Sequence, residues 1–459
     1  MIKRLFSSQL RINMASGVVV TVINAVAMMV AFPIYLHFLD YERYGVWLVL
    51  ATVLSFAQLG NLGIDQAVMK LVAEEHGRGD IEGIQRYVTT ALALLCLSGS
   101  LILISVLVFK TQIIAAFKLS DENAQTALWL LPYIGILSIY VFIVQALNAT
   151  LSGLGRMDLS NYAQSIGRIV AVTVATILLY TGRGIQSLLI GNTLSYVFIH
   201  IVSLICISRI THIRLLRLRN LDAQRCKRLL RFGGGVFGGT LVAMVGRPFH
   251  RLMLSRYAGV ATLPIYEIAY NGAMQFRSLL EAGFRALMPE ISRIAAEITS
   301  QSIDRMAMLN RRAIKLIIMF GIPIYTVMLI CATSLLRIWL GEKFIAIIPS
   351  TFRIMLIATF INLLDVPAYY SLIGMGYVRY VFVSRCISWL SNFVFVLIVV
   401  VYTNRLSVNS IGLCLIISWS LSVFYTLWRF YHVLAKARHR CCSSGINDNV
   451  QNSLMTDVT

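Results

Sequence analysis

Residues 88–109 read VTTALALLCLSGSLILISVLVF, an apolar run without one charged side chain. As a helix rising 1.5 Å per residue it is about 33 Å long, enough to cross about 30 Å of hydrocarbon. Blocks of the same kind recur on both sides of it, at 14–36, 44–66, 127–147, 162–180, 185–207, 233–254, 265–287, 313–335, 347–373, 381–402 and 410–434. With 88–109 they predict about twelve crossings. The blocks 44–66 and 265–287 are the least apolar, which leaves a range of eleven to fourteen open.

Composition points the same way. Charged residues make up 13% of the chain and apolar residues 58%, with a mean hydropathy of +0.77. A soluble domain keeps about a quarter of its residues charged. The expectation is one all-α polytopic membrane unit ending in a short polar tail, rather than a string of soluble domains.

Lys and Arg set the orientation. An N-terminus on the cytoplasmic side leaves most loop cations there, including Arg209, Arg214, Arg217, Arg219, Arg225, Lys227, Arg228 and Arg231. Such a run between two spans predicts a topology signal and contact with anionic lipids, not a nucleic-acid partner. The opening MIKRLFSSQLRI resembles a signal-peptide start, but the following run is too long and lacks a small-residue cleavage site. It is read as a retained first helix, with both termini inside. Cys96, Cys206, Cys331, Cys386 and Cys414 fall in or at the ends of spans. Cys226, Cys441 and Cys442 fall on the reducing side, and no disulfide or metal spacing emerges.

The chain reads as built twice. Leu151-Ser152-Gly153-Leu154-Gly155 follows the fourth span, and Leu372-Ile373-Gly374-Met375-Gly376 follows the tenth. Tyr44 opens the second span, with Val72-Ala73-Glu74 after it. Tyr266 opens the eighth, with Ala295-Ala296-Glu297 after it. Both offsets are close to half the chain, as a duplication predicts. The expected division is a six-helix bundle over 1–208, a basic linker over 209–231, a second bundle over 232–435 and a tail over 436–459. An even number of spans per half makes the two bundles parallel repeats, a layout that transporters use.

Charges at membrane depth cost about 2.5–3.5 kcal/mol each by insertion scales, so each needs a partner, water or a ligand. Arg247 and Arg251 share one face of the seventh span, beside His250. Glu267, Asn271, Gln275, Ser278, Glu281 and Arg285 line one side of the eighth, with Arg277 at the edge. Asp65, Arg168, Asp365 and Arg385 complete the candidate cavity. Arg168 and Arg385 sit near enough to an interface to snorkel, and Asp65 and Asp365 have local backbone or a neighbouring cation as alternative partners. The arginine fork fits phosphate or carboxylate oxygens.

Gly233-Gly234-Gly235 with Gly238-Gly239 lacks the Gly-Lys-Ser/Thr of a phosphate loop and predicts close helix packing instead. No catalytic constellation or large extramembrane loop is present, so an enzyme or a self-contained ATP-driven pump is not expected.

Several stretches in chain order resemble a known family. They are Tyr44-Gly45-Val46-Trp47, Gln58-Leu59-Gly60-Asn61-Leu62-Gly63-Ile64-Asp65-Gln66-Ala67, Val72-Ala73-Glu74, the turn Leu151 to Arg156, Ile265-Tyr266 through Met288-Pro289-Glu290, and Leu336-Arg337-Ile338-Trp339-Leu340-Gly341. They resemble the O-antigen (Wzx-type) flippases of the multidrug/oligosaccharidyl-lipid/polysaccharide (MOP) exporter superfamily. The resemblance implies two six-helix bundles around a V-shaped cavity. It also implies transfer of undecaprenyl-diphosphate-linked oligosaccharide across the bacterial inner membrane for lipopolysaccharide biosynthesis, with a polymerase and a chain-length regulator as partners. One departure is visible: lipid-II flippase relatives carry basic residues deep in the first span, where this chain offers only Asn24. A cation-coupled exporter of drugs or metabolites and a non-transporting scaffold stay open. No cofactor is expected, and proton or sodium coupling is undecided by sequence.

Overall fold

The computed structural model describes residues 8–211, 221–284, 291, 294, 295 and 300–443. Arg214, Arg217, Arg219, Arg285, Ala296, Glu297 and the Met288-Pro289-Glu290 motif lie outside the described residues. No strand occurs among the described residues, which form fourteen α-helices. These are α1 Ser8–Ala57, α2 Ile64–Arg78, α3 Ile81–Val108, α4 Lys110–Ala116, α5 Asp121–Gly153, α6 Met157–Tyr180, α7 Gln186–Thr211, α8 Ala223–Ala258, α9 Thr262–Phe284, α10 Ser300–Leu340, α11 Ile347–Leu363, α12 Val366–Gly374, α13 Val378–Thr403 and α14 Val408–Ser443.

Helix makes up most of the described part of each expected span, and nine helices among the described residues are long and apolar enough to cross a membrane. Two differences account for the shortfall from twelve. Spans 14–36 and 44–66 share α1, which folds at Asp40 (φ 57°, ψ 176°) and so counts once. The helices of spans 233–254 and 265–287, α8 and α9, carry Arg247, Arg251, Glu267, Arg277 and Glu281 and are not among the nine. The chain is an all-α multi-pass membrane protein.

The opening run shows how such a helix is used. On α3, Leu97, Leu101, Ile104 and Val108 recur at helical spacing and are exposed, the surface that hydrocarbon covers. The opposite face, Ile84, Tyr87, Val88, Ala91, Leu92 and Leu95, is buried. Small residues let it approach α5. A Cβ on Gly99 would stand 2.9 Å from Ile139 Cγ1, and one on Gly135 would stand 2.5 Å from Leu103 Cδ1. Without a hydrophobic drive between helices in lipid, such close packing holds them together.

Compactness divides the chain into Met1–Pro264 and Ile265–Thr459. That boundary lies past α8, whereas the sequence reading put a linker at 209–231, of which 209–211 end α7 and 223–231 open α8. In the first unit α8 packs on α1, α2 and α3. Its basic N-terminal turns supply part of the contact. Arg225 donates to the Gly83 carbonyl (2.8 Å) and lies over the Tyr87 ring. Arg228 donates to Glu74 (2.7 Å) and to the Tyr87 hydroxyl (3.0 Å). These two cations, expected to act on lipid, are spent on intramolecular packing; Lys227 and Arg231 are exposed.

The second span breaks before it ends. After α1 comes a 3-10 turn, Gln58–Asn61, and then Leu62 (φ 51°) and Gly63 (φ 72°) in the left-handed region. The chain restarts as α2, whose Ile64, Ala67, Val68, Leu71 and Val72 form one buried stripe. The break is a contact point: a Cβ on Gly63 would lie 2.4 Å from the Gly233 carbonyl oxygen. Gly233 therefore packs against the backbone of the break, whereas a Cβ on Gly234 would meet nothing within 4 Å.

The repeated glycine motifs form one local structure. Gly155 (φ 76°) and Gly376 (φ 86°) each end a helix in the left-handed conformation. Arg156 N–H bonds the Leu151 carbonyl at 3.0 Å, and Tyr377 N–H bonds the Leu372 carbonyl at 2.9 Å. The closing pattern is that of a glycine helix stop.

Near the first of these turns, α1 is latched to α6. Gln9 donates to Asp158 Oδ1 (2.9 Å), Asn13 bonds the Gly155 carbonyl (2.9 Å), and Arg156 grips Asp158 through both carboxylate oxygens. Asp158 is buried. Asp158→Ala removes the acceptor of Gln9 and Arg156 and is expected to destabilise the protein by about 1–3 kcal/mol. Thermal unfolding in detergent checks this; an unchanged midpoint contradicts the latch.

Candidate functional site

Four sequence-selected charges come together in the second unit. Arg277 and Glu281, one turn apart on α9, form an ion pair at 2.6 Å, with Arg277 only 7% exposed. Glu281 also accepts from the Tyr370 hydroxyl on α12 at 3.0 Å. Asp365 lies within electrostatic reach of Arg385, Arg277 and Glu281. Arg385, on α13, stacks over the Tyr369 ring at 4.7 Å.

Asp365 owes its position to a break in the tenth span. Pro367 lacks an N–H for the Leu363 carbonyl four residues back, and its ring crowds that carbonyl, so α11 stops at Leu363 and α12 restarts at Val366 with Pro367 in its first turn. Asp365 occupies the cap position of α12, yet its side chain makes no cap hydrogen bond. It is 1% exposed, and neither carboxylate oxygen has a hydrogen-bond partner. Asn362 Nδ2, one turn earlier, and Arg277 Nε are also buried without a partner. An unsatisfied buried polar atom costs about 1–3 kcal/mol. Two acceptors and two donors left open in one region form a chemically complementary set. A hydroxyl-rich ligand, whose groups both donate and accept, satisfies both kinds at once.

The remaining candidates are distributed differently. Glu267 is buried on α9 and accepts from Asn271 at 2.7 Å, so these two form a separate pair on that helix. In the first unit, Asp65 accepts from the Gln66 N–H (2.8 Å) at the start of α2. Beside it Asn61 donates to Gln145 (2.8 Å), which donates to Gln58 (3.2 Å). Arg168, on α6, is in electrostatic reach of Tyr35 and Tyr196, with its Nε buried and unbonded. Arg247 is half-buried on α8, while His250 and Arg251 on the same helix are buried. Tyr370 was not among the sequence candidates. Tyrosines are common in this chain, and only the fold shows which one meets Glu281. Among the described residues no group of three or more His, Cys, Asp and Glu is placed to hold a metal ion.

Three solved structures illustrate the fold. A multidrug resistance MATE family transporter of the MOP superfamily in its inward-facing conformation is similar with a TM-score of 0.73 at 15% identity, over 95% of this chain and 96% of that one. A MOP superfamily transporter from Pyrococcus furiosus, described as having a binding pocket of reverse polarity that suggests a different function, is similar with a TM-score of 0.61 at 15% identity, over 94% and 95%. An outward-facing MATE family transporter of the superfamily gives a TM-score of 0.55 at 16% identity, over 94% and 96%. No curated protein matches the sequence significantly. The model of one family, described as polysaccharide biosynthesis protein, matches residues 10–295, more than half of the chain. The chain therefore belongs to the polysaccharide biosynthesis protein family and carries the fold of MOP-superfamily transporters.

Proposed function

We propose that this protein is a flippase that moves an undecaprenyl-diphosphate-linked oligosaccharide, an O-antigen or similar repeat unit, from the cytoplasmic to the periplasmic leaflet of the bacterial inner membrane. Alternating access by the two duplicated halves is the proposed route. The observation that carries this reading is the cluster of buried Arg277, Asn362 and Asp365 with half-buried Glu281, Tyr370 and Arg385 in an otherwise apolar bundle. The guanidiniums suit the lipid-linked diphosphate, and the open amide and carboxylate suit sugar hydroxyls. Family membership supports a role in polysaccharide biosynthesis. The test is complementation: a strain lacking its own flippase should regain surface polysaccharide on expressing this chain. Restored growth on drugs with no surface polysaccharide would contradict the reading.

A second reading, a cation-coupled exporter of drugs or metabolites, draws on the buried carboxylates Asp365 and Glu267. Substitution at Asp365 separates the two. Replacing an unpartnered buried carboxylate with an apolar side chain of similar size does not threaten the fold. Asp365→Leu should cut polysaccharide export about tenfold or more, from the loss of one or two hydrogen bonds worth about 1.5–3 kcal/mol. Asp365→Asn keeps an acceptor oxygen and should retain most of it. Equal inactivity of both variants would make the charge itself essential, as the exporter reading requires.

A further inference from the structure

The geometry points to a binding site for an anionic glycerophospholipid on the outer face of α14, with Arg429 as its phosphate ligand and an apolar stripe as the track for an acyl chain. The guanidinium of Arg429 lies over three rings, at 4.5 Å from Trp428, 4.9 Å from Tyr380 and 5.5 Å from Tyr425. Tyr380 is itself held by stacking on Tyr377 at 5.7 Å. Arg429 makes no hydrogen bond or ion pair among the described residues, and its Nε is buried without a partner. Arg438, further along α14, is provided for differently: it pairs with Asp304.

Aromatic rings orient a guanidinium but do not cancel its charge. A planar fork fixed in this way loses little freedom on binding two phosphate oxygens. The position of the cage selects the kind of anion. Ile417, Leu421, Phe424 and Trp428 recur at helical spacing along α14, and all are exposed. This lipid-facing stripe runs about 17 Å at 1.5 Å per residue, close to the hydrocarbon depth of one leaflet. It ends at Trp428 and Arg429, with the Trp428 ring against His432. Tyrosine and tryptophan mark the headgroup level of a membrane. A cation waiting at that level above an apolar track matches a diacyl phosphate ester, with its chains on the stripe and its phosphate on the fork.

The test is native mass spectrometry of the full-length protein released from nanodiscs of mixed phosphatidylglycerol and phosphatidylcholine. Wild type should retain one phosphatidylglycerol in preference to phosphatidylcholine. Arg429→Gln should bind it about tenfold more weakly, and Arg429→Lys, which keeps charge but not the stacked fork, should fall between. Trp428→Leu keeps the apolar stripe while opening the cage, and should also weaken retention if Arg429→Gln proves unstable. Arg438→Gln removes one charge at the same end of α14 and should leave retention unchanged. Equal retention by wild type and Arg429→Gln overturns the site. So does equal loss in Arg438→Gln, which would indicate diffuse attraction, or preferential retention of added undecaprenyl diphosphate, which would assign the cage to a polyprenyl ligand.

Discussion

Arg277→Ala is expected to abolish surface polysaccharide in a complemented strain while the protein still reaches the membrane. Loss of a charge-assisted contact to phosphate costs about 1.5–3 kcal/mol, about 10- to 100-fold in transport. The variant also leaves half-buried Glu281 with the Tyr370 hydroxyl but without its 2.6 Å cation, so a structural role must be separated from a binding one. The double variant Arg277→Ala/Glu281→Ala does so. It removes the stranded carboxylate and should hold membrane levels at those of wild type, yet stay inactive. Activity regained in the double variant would show that Arg277 serves only to neutralise Glu281. Arg277→Lys keeps the charge without the fork and should be partly active. Immunoblots of membranes beside polysaccharide gels supply both readouts.

Gly63→Ala is expected to have the largest effect on stability. The residue sits at φ 72°, and its Cβ would lie 2.4 Å from the Gly233 carbonyl oxygen. Backbone strain contributes about 1–3 kcal/mol, and forcing the α1–α2 break away from α8 adds about 1–3 kcal/mol more. Gly155→Ala is the control. It has φ 76° but nothing within 4 Å of the added Cβ, so it carries the strain alone. The unfolding midpoint of the detergent-purified protein should fall clearly further for Gly63→Ala than for Gly155→Ala. Equal shifts would contradict the contact between the two glycine segments.

The sequence made some of this legible and hid the rest, for physical reasons. Each apolar block is a helix because a membrane span must satisfy its backbone internally, which leaves a strong one-dimensional signal. The 151–155 and 372–376 turns were readable because only glycine takes their left-handed conformation cheaply. The fold at Asp40 was half visible. The two spans beside it were, but the connection is a single non-helical residue inside one long helix. Arg225 and Arg228 read as part of a topology signal because charge runs reveal sidedness, whereas their acceptors Gly83, Tyr87 and Glu74 lie some 140–155 positions away in the chain. The site shows the same split. Arg277, Glu281, Asp365 and Arg385 stand out because charge is rare in lipid. Their association, and the place of Tyr370 beside them, depends on three separate helices and on the Pro367 break.

The reading stands or falls on movement of lipid between leaflets. Purified protein reconstituted into sealed vesicles with a fluorescent undecaprenyl-diphosphate-linked oligosaccharide allows this to be followed with a membrane-impermeant quencher. The fraction of probe reached from outside should rise beyond the one-leaflet value when wild-type protein is present. It should stay at that value in protein-free vesicles and in vesicles carrying Arg277→Ala. Redistribution no faster with wild-type protein than without it, in vesicles shown to contain folded protein, would contradict the proposed flippase.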